Sequence, residues 1–386
     1  MTLASIALML AVGLVGPALA SWKRGSVPVA VGELLVGVLL GPSAFNLLSS
    51  NDPTSDTLSA IGFALVMLVV GSHLNPRAFA DRAITVRALQ IVGASAVVAV
   101  LGAWAVRALT GFENVGLMAA LMASSSAAII LPVLEQIGDV ERNQLLITHV
   151  TIADLLGIVS LPLVMHSPNV GRTVAGAGTV AALAGLFYLL LRHADRSGSL
   201  HRFHEFSKEH AFGLELRISL VVVIGLSALA GRFHVTVMIA GLSVGIALAA
   251  VGVPHRLARQ LFGIAEGFFS PIFFVILGSR IDVRAAVSDP RALGLAAALS
   301  IGTVLAHATA RLFGESLHLA FMSGAQLGVP VAAVTIGQAS GELGAGQAAA
   351  ILAAALVSIL VTTLASKRHP TPTNPVPTPP PRPGGP

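Results

Sequence analysis

Residues 145–163 read LLITHVTIADLLGIVSLPL, and the only carboxylate in this run is Asp154, close to its middle. A run of this length and apolarity predicts a helix that crosses a lipid bilayer. A charged side chain near the centre of such a helix costs roughly 2.5–3.5 kcal/mol on insertion scales, so it usually faces a polar cavity and has a function. Asp154 is therefore the first candidate functional residue.

The rest of the chain resembles this run in composition. The 386 residues are 55% hydrophobic and 11% charged, with no Cys, which excludes disulfides and thiolate metal sites. Apolar runs lie near 2–20, 27–47, 57–73, 87–108, 115–134, 145–165, 174–191, 213–230, 234–252, 262–279, 292–312, 318–338 and 345–365. We therefore predict an all-α polytopic membrane protein with about thirteen transmembrane helices, embedded in the lipid bilayer.

Basic residues between the predicted spans indicate the orientation. They crowd one set of alternating loops, from Lys23 and Arg24 after the first span to Lys367 after the last. This bias predicts an outside N-terminus and a cytoplasmic C-terminus in a bacterial-type inner (plasma) membrane. It also accounts for the formal charge of +5 without a nucleic-acid partner. The first span lacks a preceding positive charge, so we expect a retained helix rather than a signal peptide.

Two sequence pairs recur about 207 residues apart and predict an internal repeat. Residues 34–37 read LLVG and residues 242–245 read LSVG, while GSHLNPRA at 71–78 matches GSRIDVRA at 278–285. Spans two to six would then correspond to spans nine to thirteen. Because the offset is seven helices, an odd number, the two five-helix repeats would be inverted, an arrangement typical of secondary transporters.

The repeat also predicts two broken helices that cross. Residues 123–132 read ASSSAAIILP and residues 323–330 read SGAQLGVP, each a small or polar cluster followed by Pro. Proline removes a helical hydrogen bond, and the freed carbonyl and hydroxyl oxygens can bind a cation. The alternative is a pair of ordinary proline kinks.

At this point the chain resembles a known family, the monovalent cation–proton antiporters of the second superfamily branch. The resemblance rests on GELLVGVLLGPS at 32–43, SSSAAIILPVL at 124–134, the run 151–159 and PIFFVILG at 271–278. It covers about residues 5–365, close to the whole predicted membrane domain (1–366), which a disordered Pro-rich cytoplasmic tail (367–386) follows.

Membership of that family implies a homodimer and elevator-type exchange. The dimer part would lie near 1–80 and 213–285, and a moving core near 87–166 and 292–366. The sequence departs from the family pattern at Ala153, where many members have a second acid, and at Gly302-Thr303, where many have a Lys. A third departure is Gly328-Val-Pro330, where an Arg-Gly-Glu-like stretch is common.

The predicted site for a monovalent cation and a proton is centred on Asp154. Thr151 lies one turn earlier on the same helical face, and Ser125 and Ser126 offer hydroxyl oxygens, which hard cations prefer. Proton and cation would compete for one carboxylate, and that competition would couple their fluxes. The alternatives are an Asp satisfied by a neighbouring hydroxyl and serines that serve helix packing.

Four further residues are weaker candidates. His307, with Thr303 one turn before it, could supply a positive charge opposite Asp154, or it could be a neutral His bonded to a backbone carbonyl. Glu33 is expected to be structural or to line the ion funnel, and Arg280 to pair with Asp282 at the membrane surface. A loop from 193 to 210 holds four histidines that suggest either a pH sensor or an ordinary solvated loop.

The leading functional hypothesis is a secondary antiporter that exchanges sodium or potassium for protons, electroneutrally because only one essential acid is present. Two alternatives stay open: a sodium-coupled symporter of a small organic anion, and a non-transporting membrane sensor. No grouping of residues suggests an enzyme or a bound cofactor.

Overall fold

The computed structural model describes residues 2–21, 28–48, 52–73, 81–136, 143–165, 170–210, 213–233, 235–252, 255–281 and 283–366. Its helices are α1 (Leu3–Gly13), α2 (Val15–Ala20), α3 (Val29–Leu40), α4 (Pro53–His73), α5 (Arg82–Thr110), α6 (Val115–Ala123), α7 (Ala127–Gln136), α8 (Gln144–Val164), α9 (Val170–Arg196), α10 (Ser199–Glu209), α11 (Leu214–Arg232), α12 (Val237–Val251), α13 (His255–Ile264), α14 (Ser270–Ser279), α15 (Val283–Ser288), α16 (Pro290–Ala308), α17 (Leu317–Met322), α18 (Gly328–Ser340) and α19 (Ala345–Ser366).

The helices match the predicted spans. Within the described residues, nine helical stretches are long and apolar enough to cross a membrane. One of them joins α13 and α14 through a π-helical turn, and another continues α16 through a 3-10 turn. Four shorter apolar helices supply the remaining spans, at Val29–Leu40, Val115–Leu131, Val237–Val251 and Gly328–Gln338. All thirteen predicted spans therefore coincide with helix, whereas the predicted tail at 367–386 lies outside the described residues.

The two halves of the sequence repeat begin corresponding helices in the same way. Asp81 caps α5 by accepting a hydrogen bond from the backbone N–H of Ala83 at 2.8 Å. Asp289, 208 positions later, caps α16 by accepting from the backbone N–H of Arg291 at 2.9 Å. An aspartate at this position satisfies backbone donors that have no partner inside the helix, so both helices start where the sequence places the acid.

The same correspondence governs two close helix crossings. A Cβ on Gly278 of α14 would lie 2.1 Å from the carbonyl oxygen of Leu34 in α3. A Cβ on Gly71 of α4 would lie 2.4 Å from the carbonyl oxygen of Leu242 in α12. Leu34 and Leu242 are the first residues of the two repeated tetrapeptides, so the α3–α14 and α4–α12 crossings are copies of one another.

The fourth residues of those tetrapeptides complete the match. A Cβ on Gly37 would lie 2.3 Å from the carbonyl oxygen of Val275, and one on Gly245 would lie 2.2 Å from that of Leu68. Real Cβ atoms do not approach a backbone atom so closely. Only glycine allows these backbones to meet, which is the usual way in which membrane helices approach closely.

Two helices are broken at the predicted places. The chain leaves helical geometry at 124–126, between α6 and α7, and at 323–327, between α17 and α18. The prolines themselves do not mark the breaks. Pro132 lies six residues beyond the first break, inside α7, and Pro330 lies in the first turn of α18, where its missing N–H is not needed. The small and polar clusters are therefore where the helices stop.

Helix α8 lies against both breaks. A Cβ on Gly157 would lie 2.8 Å from the Cγ2 atom of Val329 in α18 and 3.2 Å from the Cβ atom of Ser124 in the first break. Gly157 is three residues after Asp154 and shares its face of the helix. The fold therefore brings the carboxylate of α8 to the point where the two broken helices cross.

Candidate functional site

Asp154 closes the start of a half-helix. Its side chain is buried, and its Oδ2 atom accepts a hydrogen bond from the backbone N–H of Ala127 at 3.0 Å. Ala127 is the first residue of α7, so the carboxylate satisfies one of the N–H groups that a helix start leaves open. The positive end of the helix dipole also favours a negative charge there. The hydrogen-bond partner is thus a backbone amide and not the neighbouring hydroxyl that the alternative interpretation required.

Three serines link α6 to α7, and all three are buried. Ser126 immediately precedes Ala127 and so lies at the start of α7 beside the bond to Asp154. The Ser125 hydroxyl donates to the backbone carbonyl of Ser323 in the second break. Thr151 is buried one turn before Asp154 in α8. The structure therefore gathers the predicted ligands around the first break, and their binding of a cation stays a prediction.

His307 joins the two breaks. Its Nε2 atom lies 3.0 Å from the carbonyl oxygen of Ser124, and its Nδ1 atom lies 3.1 Å from the hydroxyl oxygen of Ser323. Since a carbonyl oxygen can only accept, Nε2 carries the hydrogen of the first contact. These contacts match the interpretation of His307 as a residue bonded to a backbone carbonyl, and they hold its ring on the breaks rather than on the Asp154 carboxylate.

Gln326 is a residue of the site that sequence reasoning missed. Its side-chain Nε2 donates to the backbone carbonyls of Leu121 and Ser124, the second at 3.0 Å, and lies 3.3 Å from the Thr303 hydroxyl. Its backbone N–H donates to the hydroxyl of Ser358 in α19 at 3.0 Å. The signal was a long polar amide inside the cluster at 323–330, which the sequence pattern marks only as part of a break.

Thr303 is therefore placed by Gln326 and not by Asp154. It lies one turn before His307 in α16, and both side chains are buried at the crossing. A threonine carries no charge, so of this predicted pair only the histidine can hold a positive charge.

His149 is a second buried group that sequence reasoning passed over. Its Nδ1 atom lies 3.0 Å from the carbonyl oxygen of Leu145, one turn earlier in α8. Among the described residues, its buried Nε2 atom has no hydrogen-bond partner. A buried polar atom of this kind costs about 1–3 kcal/mol relative to one with a partner.

The remaining candidates lie away from the crossing. Glu33 is buried in α3, where the Ser270 hydroxyl lies 3.4 Å from its Oε2 atom. Arg280 forms an ion pair with Asp56 of α4. The expected pairing with Asp282 involves a residue outside the described part of the chain and stays a prediction. Neither residue contributes to the arrangement around Asp154.

The segment from 193 to 210 is helical and not a loop, because α9 continues to Arg196 and α10 begins at Ser199. His193 is exposed at the end of α9, and His210 is exposed just after α10. The side chains of His201 and His204 lie outside the described residues. A role of the segment 193–210 as a pH sensor stays a prediction.

Comparison with known proteins agrees with this geometry. The family described as sodium/hydrogen exchanger, transmembrane, matches residues 7–367. The chain belongs to that family. As a member of the exchanger family it is a multi-pass membrane protein, and the resemblance inferred from residues 32–43, 124–134, 151–159 and 271–278 is confirmed.

Relatives within the exchanger family are distant in sequence. A putative Na+/H+ antiporter of Bacillus subtilis, YjbQ, is 23% identical over 95% of this chain. The chain spans 63% of the length of that relative. Probable Na+/H+ antiporter 3 of Methanocaldococcus jannaschii is 26% identical over 68% of each protein.

A solved structure supports the fold. The sodium proton antiporter MjNhaP1 from Methanocaldococcus jannaschii superposes with a TM-score of 0.60, covers 94% of each chain and is 17% identical. At this identity the likeness concerns the arrangement of helices alone.

Proposed function

We propose that this exchanger-family protein is a secondary antiporter in which a monovalent cation, sodium or potassium, and a proton compete for Asp154. The observation that supports the proposal most directly is the buried Asp154 carboxylate on the first N–H of α7. Within the described part of the chain this N–H is the donor to Asp154, so the carboxylate keeps lone pairs for a proton or a cation, and it cannot satisfy both fully at once. Cation and proton then alternate on the same oxygen atoms.

Oxygen atoms near the first break complete the proposed site. Ser126 lies at the start of α7 beside the carboxylate, Thr151 lies one turn away, and the Ser125 hydroxyl keeps a lone pair while it donates to Ser323. These are the hard oxygen donors that alkali cations prefer. With one acidic residue in the site, exchange of one proton for one cation moves no net charge, so the antiporter is electroneutral.

Movement of a core against a fixed frame would carry the site across the membrane. The glycine crossings α3–α14 and α4–α12 belong to the proposed dimer part, near 1–80 and 213–285. The breaks, α8 and α16 belong to the proposed core, near 87–166 and 292–366. An elevator motion of the core in a homodimer, with an outside N-terminus and a cytoplasmic C-terminus in an inner membrane, is the arrangement we propose.

The test is transport by purified protein in liposomes. An imposed sodium or potassium gradient should drive proton movement in the opposite direction, and Asp154→Asn should abolish it while the protein stays folded. Wild-type-like exchange by the Asn variant would refute the assignment of Asp154. An imposed voltage should leave the direction of net exchange unchanged; a strong voltage dependence would instead refute electroneutrality. Uptake of an organic anion without proton movement would indicate the symporter.

A further inference from the structure

A broken helix normally exposes oxygen atoms that bind cations without regard to pH. The last turn of a helix leaves its carbonyls without partners, and together they carry about half a negative charge. In the first break these are the carbonyls at the end of α6, including those of Leu121 and Ser124. A backbone carbonyl cannot take up a proton, so a cation bound there would not have to displace one.

In this protein those carbonyls are occupied by protein donors. The amide nitrogen of Gln326 donates to the carbonyls of Leu121 and Ser124. Each carbonyl also accepts a second hydrogen bond, Leu121 from the Ser124 hydroxyl at 2.9 Å and Ser124 from His307 at 3.0 Å. Because both acceptors are carbonyl oxygens, the nitrogen of the Gln326 amide, and not its oxygen, must face them. An amide nitrogen has two hydrogens, so one Gln326 side chain suffices for both carbonyls.

The second break is closed in the same manner. The carbonyl of Ser323 accepts a hydrogen bond from the Ser125 hydroxyl, and the carbonyl of Met322 accepts one from the Thr362 hydroxyl at 3.1 Å. All of these atoms are buried, so water does not replace the protein donors. The Asp154 carboxylate and the side-chain hydroxyls beside it keep lone pairs at the crossing.

We infer that Gln326 is a positioning residue that preserves the coupling between cation and proton. Its hydrogen bonds to the carbonyls of Leu121 and Ser124 take up lone pairs that a cation could otherwise use without displacing a proton. The neutral amide does this without adding a fixed charge to the core. This inference rests on the proposed competition at Asp154.

The test is the pH dependence of the apparent KM for sodium, measured in liposomes with Gln326→Met. Methionine keeps the approximate volume of glutamine but donates no hydrogen bond. In the wild type, strict competition should raise KM about tenfold for each unit that the pH falls on the acid side. In the variant, the carbonyls of Leu121 and Ser124 each keep one donor but regain one lone pair, which should bind sodium without displacing a proton. The change in KM should then fall to about threefold per unit or less, with a lower absolute KM at acid pH.

Gln338→Met is the matched control, because it makes the same substitution at a half-buried position inside α18, away from the second break. It should keep the wild-type slope. If Gln326→Met does not fold, Gln326→Asn retains the amide but is too short to reach both carbonyls, and its slope should fall between the two. A wild-type slope in a folded Gln326 variant, or a weak slope in the wild type itself, would overturn the inference.

The outcomes for Gln326 and Asp154 are separable. If Asp154→Asn exchanges like the wild type, competition at Asp154 fails and the role of Gln326 fails with it. If Asp154→Asn is inactive but Gln326→Met has the wild-type slope, only the role of Gln326 is lost.

Discussion

The two breaks hold corresponding places in the two halves of the repeat, yet different groups close them. In the first break, the backbone N–H of Ala127 donates to the carboxylate of Asp154 in α8. In the second, the backbone N–H of Gln326 donates to the hydroxyl of Ser358 in α19. A carboxylate can gain or lose a proton, whereas a serine hydroxyl keeps its proton throughout the physiological range.

The glycine crossings show that this asymmetry is local. Gly37 and Gly245 meet the opposite backbones at almost the same distance, 2.3 and 2.2 Å for a Cβ. The repeat has therefore kept its frame symmetric while its two breaks have diverged. One break carries the ionisable group, and the other supplies the neutral amide that braces the first.

The largest effect should come from breaking the symmetric frame. Gly37→Ala and Gly245→Ala each place a methyl group inside contact distance of a backbone carbonyl. Each should cost about 3 kcal/mol or more, because backbone atoms must move. Thermal unfolding in detergent would measure both losses, which should agree within about 1 kcal/mol if the crossings are energetic copies.

Gly93→Ala provides the control for these variants. Gly93 lies inside α5. Apart from the neighbouring backbone of α5 itself, no heavy atom of the described residues lies within 4 Å of the position that an added methyl group would take. Alanine there should be neutral or should stabilise the helix by up to about 1 kcal/mol. If alanine were tolerated at one crossing but not at the other, the two crossings would contribute differently to the free energy of unfolding.

The next effect should come from making the two breaks alike. Asp154→Ser gives the first break the chemistry of the second, and exchange should fall about a hundredfold or more because no group in the site can lose a proton. Proton flux in liposomes would measure the loss. Ser358→Ala, by contrast, removes two neutral hydrogen bonds, one from the Gln326 N–H and one to the Ala355 carbonyl, and should cost about 1–2 kcal/mol of stability with exchange retained. Exchange by the Asp154→Ser variant at the wild-type rate would mean that the asymmetry of the breaks is not functional.

Removing the His307 side chain that connects the two breaks should have an intermediate effect on stability. His307→Leu removes the contacts with Ser124 and Ser323 together, and it should lower the free energy of unfolding by about 2 kcal/mol. Thermal unfolding would report it, with His193→Leu at the exposed end of α9 as a neutral control. Equal stability of the two variants would indicate that the breaks are held together by other contacts.

The smallest effect concerns the approach to the second break. Glu315 is buried in the turn before α17, outside the spans, and burial raises its pKa from 4.5 to about 7. Folding thus favours the protonated acid, so the protein should lose stability as the pH rises from about 4.5 to about 7. Glu315→Gln should abolish that loss and gain of order 1 kcal/mol above neutral pH. Parallel stability curves for the two proteins would contradict this assignment.

Local pattern in the sequence was enough to locate the spans, the breaks and Asp154. An acid inside an apolar run, a serine cluster and paired glycines are features of single segments, and the fold preserves them. The repeated segments contain the glycines that meet, but the repeat did not predict those contacts, which the structure shows at Leu34 and Leu242.

Contacts between distant segments could not be read in the same way. Gln326 reaches Leu121 across 205 positions, and Arg280 reaches Asp56 across 224. Neither pairing follows from the spacing of neighbouring residues, because helix packing decides which polar ends meet. Proline was a misleading marker for a related reason: Pro132 is accommodated inside α7, and the serines before it end α6.

The glycine crossings have a consequence for precision. Where two helices touch through side chains, their separation varies with rotamers, and each methyl group can yield a little. Where the carbonyl of Leu68 rests over Gly245, no rotatable bond lies between the two backbones. The distance between α4 and α12 at this crossing is then set by atomic radii rather than by rotamers. A side chain introduced at this crossing could not be accommodated by a change of rotamer. The separation of α4 and α12 can therefore change only if both backbones move.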